Sequence, residues 1–211
     1  MEILIALIVL VFSAILHEIA HGYVADRLGD PTARIMGRLT LNPKPHIDPI
    51  MSIAVPLFLL LSGSPIIFGA AKPVPVDTFN LKEGRKDEAL VALAGPATNL
   101  ILAVSAALIL KFLLLPQIAY LLPMSILSFL YFIFATIVTQ NLVLGIINLL
   151  PIPPIDGSKI FSIFLPEATA RRFLSLGTIT GFALIFLLLS FSPLGGIISG
   201  LISFGRNILL P

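Results

Sequence analysis

The sequence predicts an all-α polytopic membrane protein with about five to six transmembrane helices, a re-entrant segment and short membrane-associated β-strands. Hydrophobic residues make up 57% of the 211 residues and charged residues only 11%, whereas soluble domains carry about a quarter charged residues. Apolar runs recur along the chain, and several reach the roughly 20 residues that a helix needs to cross a bilayer. The lipid bilayer is therefore the predicted environment of most of the chain.

The amino-acid composition also limits the kinds of metal site and binding partner that the chain can have. The chain contains no cysteine, which excludes disulfides, Fe–S clusters and thiolate metal sites, so a transition metal must be bound by His, Asp or Glu. The net charge of +2 comes without a basic cluster interleaved with aromatic residues. We therefore expect no nucleic-acid partner and assign the basic residues to the flanks of membrane spans.

The first span is predicted over about residues 3–25, retained rather than cleaved as a signal peptide because Glu2 replaces the usual basic region. Near its end lies His17-Glu18-x-x-His21. On a helix the two imidazoles lie one turn apart on one face, close enough to bind the same Zn²⁺, and Glu18 can accept a proton from a water. Such polar residues are costly in an apolar segment unless they bind something, which favours a metal site over a polar helix face.

The next part of the chain alternates polar loops with a broken apolar stretch. We expect a short strand over 33–41, a re-entrant segment over 50–68 interrupted by prolines, and an extended edge strand over 69–76. Either strand could offer an edge to which an unwound substrate adds. His46 is interpreted as a loop residue at the membrane interface and is left outside the ligand set.

Two clear spans follow, over about 89–115 and 124–150. In the first, Gly95 with Ala92 and Ala94 would let the helix approach the histidine-bearing span closely, and Asn99 would either bond to that span or simply pack. A further span is predicted over 172–191, and a weaker, glycine-rich one over 194–210. We assign residues 1–157 to a membrane-embedded catalytic core and residues 158–211 to C-terminal helices that could gate substrate entry.

A catalytic zinc usually keeps three protein ligands, so His17 and His21 need a partner. Asp156 is the best candidate because three prolines before it end the preceding helix and could aim its carboxylate back toward the helix end. Taken alone, Asp156-Gly157 also fits a turn or a helix N-cap. Asn148 could bind the scissile carbonyl or its oxyanion, or make a packing hydrogen bond between helices.

Taken together, these residues resemble the site-2 proteases, which are intramembrane zinc metalloproteases. The motifs are, in chain order, His17-Glu18-x-x-His21, Gly95-Pro96-x-x-Asn99 and Asn148-x-x-Pro151 followed by Asp156-Gly157. The resemblance implies that one Zn²⁺ per chain is bound by His17, His21 and Asp156, that Glu18 is the general base, and that Asn148 assists at the substrate carbonyl. It also implies regulated intramembrane proteolysis of transmembrane-helix proteins, and the chain is similar to the short subgroup without PDZ or CBS domains.

Charge distribution predicts the topology. If all six apolar segments crossed the membrane, the ends of the first and fourth would lie on opposite faces, and Asp156 could not reach the histidines. If 50–68 is re-entrant, both ends share a face that carries eleven of the thirteen Lys and Arg residues. These are Arg27, Arg34, Arg38, Lys44, Lys72, Lys82, Arg85, Lys86, Lys159, Arg171 and Arg172. The positive-inside rule then places the active site near the cytoplasmic face of the plasma membrane.

One other class of protein fits the same residues. A membrane transporter or metal-handling protein could use the His and Asp cluster as a translocation site. Glu18 separates the two hypotheses, because a protease needs it as a base whereas a transporter should tolerate Gln. The sequence leaves the oligomeric state and the identity of the substrate open.

Overall fold

The computed structural model describes residues 2–61, 72–176, 180, 181, 184, 187 and 193–211. Within this part of the chain all regular structure is helical. The α-helices are, in chain order, α1 (Glu2–Leu28), α2 (Thr32–Ile35), α3 (Val55–Leu61), α4 (Arg85–Leu113), α5 (Pro116–Ala119), α6 (Met124–Asn148), α7 (Asp156–Ser162), α8 (Glu167–Leu174) and α9 (Pro193–Leu209). Short 3₁₀ turns occupy Lys44–His46 and Thr78–Asn80, and Pro49–Ala54 is π-helical.

Three of the described helices are long and apolar enough to cross a membrane: α1, α4 and α6. They correspond to the spans predicted over 3–25, 89–115 and 124–150, and they confirm an α-helical integral membrane protein. Helix α4 begins earlier than expected because its first turn carries Asp87 and Glu88, whose negative charges stabilise a helix N-terminus. Asp87 also accepts a hydrogen bond from the Glu83 N–H at 2.8 Å.

The chain divides into two compact units, Met1–Gly95 and Pro96–Pro211. In the first unit, Ala25 of α1 packs with Leu81 and Val91 in a buried apolar cluster. The fully buried Asp30 follows α1. Its carboxylate accepts hydrogen bonds from four donors, namely Thr32 N–H, Thr32 Oγ1, Asp77 N–H and Asn80 Nδ2. Asp30 thus ties the end of α1 to the segment that leads into α4.

Those hydrogen bonds lower the pKa of the Asp30 carboxyl group. Burial by itself raises the pKa of a carboxyl group, since it penalises the charged form. The donors from Thr32, Asp77 and Asn80 favour the charged form and outweigh burial, so the pKa of Asp30 lies below its ordinary value of 3.8. Asp30 is therefore ionised at neutral pH, and its charge stabilises this loop.

In the second unit, α4 packs on α6 through small residues. Ala103, Ala106 and Ala107 meet Val138 and Leu142 in one buried cluster, and small side chains let membrane helices approach closely. One polar contact joins the same two helices, where the fully buried Asn99 donates from Nδ2 to Oδ1 of the fully buried Asn141 at 2.8 Å. Helix α9 packs against α6.

The strand predicted over 33–41 is wrong. Helix α2 covers Thr32–Ile35, and the following N–H groups bond locally, with Met36 donating to Thr32 at 3.0 Å and Arg38 donating to Ala33 at 2.9 Å. Gly37 then adopts a φ of 64°, which suits a helix end and interrupts a strand. Local hydrogen bonding therefore overrides the extended pattern and removes this stretch as a substrate-binding edge.

The remaining predicted elements are described only in part. Of the edge strand predicted over 69–76, residues 69–71 lie outside the described residues, and 72–76 form no regular structure. The first part of the predicted re-entrant segment 50–68 is helical up to Leu61, and 62–68 lie outside the described residues. A span cannot begin at Arg172, since α8 ends at Leu174 and a turn follows; much of 172–191 lies outside the described residues. Helix α9 covers nearly all of the segment predicted over 194–210.

Candidate metal centre

The two histidines of the first motif lie on one face of α1, close enough to bind the same metal ion. Both side chains are buried, and His17 Nε2 lies 3.0 Å from His21 Nε2. Two nitrogens bound to one tetrahedral zinc at about 2.05 Å stand about 3.3 Å apart. The spacing of the two nitrogens therefore fits a single zinc ion with little movement of either ring.

A backbone carbonyl of α4 selects the tautomer of His21. His21 Nδ1 lies 2.6 Å from the Val91 carbonyl oxygen, which can only accept, so Nδ1 carries the proton and donates. In the neutral ring, Nε2 then keeps its lone pair, which is the arrangement that metal-binding histidines use. Val91 therefore orients His21, a predicted metal ligand, through its main chain, a role that its apolar side chain does not reveal in the sequence.

Gly95 lets α4 pass directly over the imidazoles. A β-carbon on Gly95 would lie 2.5 Å from His17 Cε1, His17 Nε2 and His21 Nε2, well inside the normal contact distance of about 3.5 Å. Only glycine fits at this position without a collision with the two rings. The close approach predicted for Gly95 is confirmed.

Glu18 is held by the chain that follows the predicted re-entrant segment. Its Oε2 atom accepts a hydrogen bond from the Val74 N–H at 2.8 Å, and its side chain is half-buried. Hydrogen bonds to a charged group are worth about 1.5–3 kcal/mol, which offsets part of the cost of a carboxylate beside an apolar span. The bond fixes the orientation of the carboxylate next to His17.

The second unit contains Asp156 and Asn148. Asp156 is the first residue of α7 and half-buried, while Ile155 occupies the N-cap position, so the N-cap alternative is wrong. A β-carbon on Gly157 would collide with the carbonyl oxygens of Leu149 and Leu150, so glycine is required for α7 to begin there. Asn148 ends α6, and its Nδ2 donates to the Leu144 carbonyl at 3.0 Å.

Two polar residues outside the predicted ligand set have packing roles. Asn99 bonds to Asn141, which favours the packing interpretation of Asn99. His46 is a loop residue as expected, but it is only 1% exposed. Its Nε2 donates to the Thr40 carbonyl at 2.9 Å, and its own carbonyl accepts from the Lys72 N–H at 2.7 Å. His46 thus holds two loop segments together.

Comparison with known proteins gives the family. The sequence profile described as Peptidase family M50 matches residues 5–189. The chain belongs to peptidase family M50. This membership confirms the resemblance to the site-2 proteases that the three motifs carry.

Similar proteins occur in several bacteria. The Bacillus subtilis protein named "Putative zinc metalloprotease YwhC" is 39% identical over 206 residues, which cover 96% of this chain and 88% of that protein. The Mycobacterium tuberculosis (strain H37Rv) protein named "Putative zinc metalloprotease Rip2" is 35% identical over 179 residues, 85% of this chain. The Mycolicibacterium smegmatis protein of the same name is 31% identical over 177 residues, 84% of this chain. The chain spans only 63% of the length of these two Rip2 proteins. No solved structure matches the chain.

Proposed function

We propose that this member of peptidase family M50 is an intramembrane zinc endopeptidase that hydrolyses peptide bonds in transmembrane segments of membrane proteins. The observation that carries the proposal is the pair of Nε2 atoms 3.0 Å apart on α1, with Glu18 next to His17 on a helix long enough to cross a membrane. Two imidazoles and a carboxylate are energetically costly in a transmembrane helix unless they bind a ligand or a metal ion.

We assign His17, His21 and Asp156 as the ligands of one zinc ion per chain. Two imidazoles and one carboxylate form a donor set that zinc proteases use, with one position left for water. Two observations support the assignment of Asp156 as the third ligand. A chain without cysteine needs another donor beside the two histidines, and Asp156 lies half-buried at the start of α7. When bound, zinc activates water and polarises a carbonyl.

Glu18 supplies the proton transfer in this proposal. Its carboxylate accepts a proton from the attacking water and delivers it to the leaving amine, so that the broken peptide bond yields a carboxylic acid and an amine, which ionise to carboxylate and ammonium. Asn148 is proposed to donate from its amide to the substrate carbonyl oxygen, where negative charge develops. That role requires the Asn148 amide to exchange or share its present bond to the Leu144 carbonyl.

Cleavage and metal content measured on the same samples test these roles. We expect Glu18→Gln to lose at least about 100-fold in rate while keeping zinc, and Asp156→Asn to lose both cleavage and zinc. Glu83→Gln is the matched control, because Glu83 is exposed and pairs only loosely with Lys86 at 3.6 Å. Equal cleavage by wild type and Glu18→Gln would refute the role of Glu18. Bound metal without cleavage in either would favour the transporter alternative.

We further propose that 50–68 is re-entrant and that the site lies near the cytoplasmic face of the plasma membrane, as the distribution of Lys and Arg favours. Since the chain has no cysteine, single cysteines can be introduced at the exposed Met36, Lys86 and Gln117. Reagents that cannot cross the membrane should label Met36→Cys and Lys86→Cys from the cytoplasm and Gln117→Cys from outside. Labelling of the first two from opposite sides would refute the re-entrant topology.

A further inference from the structure

We propose that Arg38 is a positioning residue for Glu18 and that it acts through residues 72–74, which we call the strap. This inference rests on the role proposed above for Glu18 as the proton acceptor. It assigns a reaction-related role to a residue whose charge alone suggests only a membrane flank.

Arg38 holds the beginning of the strap. Its Nη2 atom donates to the carbonyl oxygen of Lys72 at 2.7 Å and to that of Pro73 at 3.2 Å. Hydrogen bonds from a charged donor are stronger than neutral ones. Lys72 and Pro73 are exposed, whereas Arg38 is only 7% exposed. Because burying a guanidinium is costly, its position beneath the strap indicates that these two bonds matter to the fold of the site.

Val74, the last residue of the strap, carries the contact to Glu18. Its N–H donates to Glu18 Oε2 at 2.8 Å, and its side chain is buried. Gly22, which follows His21, makes room for it, since a β-carbon on Gly22 would lie 2.8 Å from Val74 Cγ1. The strap is therefore seated on α1 directly beside the candidate metal ligand.

The prolines on either side make the Val74 N–H the unique donor at this point. Pro73 and Pro75 have no N–H, so Val74 offers the one backbone donor in residues 73–75. Pro75 also restricts Val74 to extended backbone, and both rings fix their own φ. A shift of the strap by one residue would therefore place no donor on Glu18, and the two bonds from Arg38 oppose such a shift.

One of the two oxygens of the Glu18 carboxylate is therefore held in place by a hydrogen bond. With Oε2 held by Val74, Oε1 is the atom left to accept the proton, in a fixed orientation. Misplacing a reacting group by about 1 Å can cost about 100-fold in rate. Loss of Arg38 should thus lower kcat, because the strap loosens and Glu18 turns, while substrate affinity and the two imidazoles remain unchanged.

The test compares Arg38→Ala and Arg38→Lys with Arg34→Ala in the full-length, zinc-loaded protein. Arg34 is the matched control, because it is exposed and bonds to Asp26 at the surface. We expect Arg38→Ala to lower kcat about 10- to 100-fold, with KM and zinc content near wild type, and Arg38→Lys to recover part of the loss. Arg34→Ala should match wild type in every measurement.

A second readout is independent of catalysis. Hydrogen exchange of the Val74 amide, followed by NMR as a resolved signal, reports on the single N–H between Pro73 and Pro75. Exchange of this amide should be slow in wild type and Arg34→Ala, and faster in Arg38→Ala. Unchanged kcat or unchanged exchange in Arg38→Ala would overturn the proposal, and loss of zinc together with activity would show a merely structural role.

Two further variants keep the test decisive if Arg38→Ala fails to fold. Val74→Pro removes the N–H that reaches Glu18, whereas Val74→Ala keeps it and trims only the side chain. We expect a much lower kcat in Val74→Pro than in Val74→Ala, and equal values would overturn the proposal. Full activity in Glu18→Gln would instead refute the proposed function, whatever the exchange data show.

Discussion

Replacing Gly95 by alanine should disable the metal centre while leaving the protein folded. The added methyl carbon would lie 2.5 Å from His17 Nε2 and from His21 Nε2, whereas ordinary contacts lie at about 3.5–4.0 Å. Either the imidazoles or α4 must therefore move by about 1 Å. The atoms that collide are the two nitrogens proposed to bind zinc.

Both ways of relieving the collision harm the site. If the rings turn, the two Nε2 atoms leave their 3.0 Å pairing. If α4 moves away instead, the 2.6 Å bond from His21 Nδ1 to the Val91 carbonyl lengthens to about 3.6 Å, beyond hydrogen-bond range. Loss of such an orienting partner typically costs about 10- to 100-fold in metal affinity or activity. Overpacking should also destabilise the fold by about 1–3 kcal/mol.

The assay combines zinc affinity, cleavage of a model transmembrane substrate and thermal unfolding in detergent. Gly200→Ala is the control, because it makes the same change in helix α9, where no described atom beyond the neighbouring turns of the helix lies within 4 Å of the added carbon. We expect Gly95→Ala to lose at least about tenfold in zinc affinity or rate, and Gly200→Ala to match or slightly exceed wild-type stability. Wild-type affinity and rate in Gly95→Ala would refute the close approach of α4 to the histidines.

Three more predictions concern stability and metal dependence. Asn99→Leu should lower stability in detergent by about 1 kcal/mol, because the buried Asn141 Oδ1 loses the donor that Asn99 supplies. Adding Asn141→Leu removes that acceptor as well and should recover part of the loss; simple additivity of the two changes would contradict this. Asp30→Asn should lower the unfolding temperature at neutral pH. The difference from wild type should shrink as pH falls through the depressed pKa of Asp30. A difference that grows toward low pH would contradict a stabilising role of the ionised Asp30 carboxylate. A chelator should abolish cleavage by wild type and lower its unfolding temperature, and added zinc should restore both. The unfolding temperature of His21→Ala should not respond to the chelator. Chelator-resistant cleavage by wild type would exclude a metal protease.

The parts of the site predicted from the sequence are those that depend on local geometry. Spacing of four residues is enough to place His17 and His21 on one helix face, and a long apolar run is enough to predict α1, α4 and α6. The need for Gly95 also follows from local chemistry, since a residue without a side chain allows close packing wherever a helix crosses another.

The parts that escaped prediction involve backbone groups and long-range packing. Every residue except proline offers the same N–H and C=O, so nothing in the sequence marks the Val91 carbonyl or the Val74 N–H as partners of His21 and Glu18. These contacts join residues 70 and 56 positions apart. Arg38 shows the same limit, because the positive-inside rule counts charges by loop and cannot tell a buried guanidinium from an exposed one.

The strand predicted over 33–41 fails for a different reason. A short stretch of chain can satisfy its own backbone groups by local turns, and here Gly37 with its positive φ allows that solution. Asp156 illustrates the opposite case, in which one sequence pattern fits both an N-cap and a ligand. The structure removes the N-cap interpretation by placing Ile155 in that position.

The most direct test of the central claim is to map the bond that is cut. Purified wild-type protein and Glu18→Gln would be incubated in detergent with a labelled single-span substrate, and the fragments would be identified by mass spectrometry. We expect a cut within the apolar segment of the substrate by wild type alone, with zinc present in both proteins. Cleavage confined to soluble flanks, or the same fragments from Glu18→Gln, would contradict intramembrane proteolysis by this site.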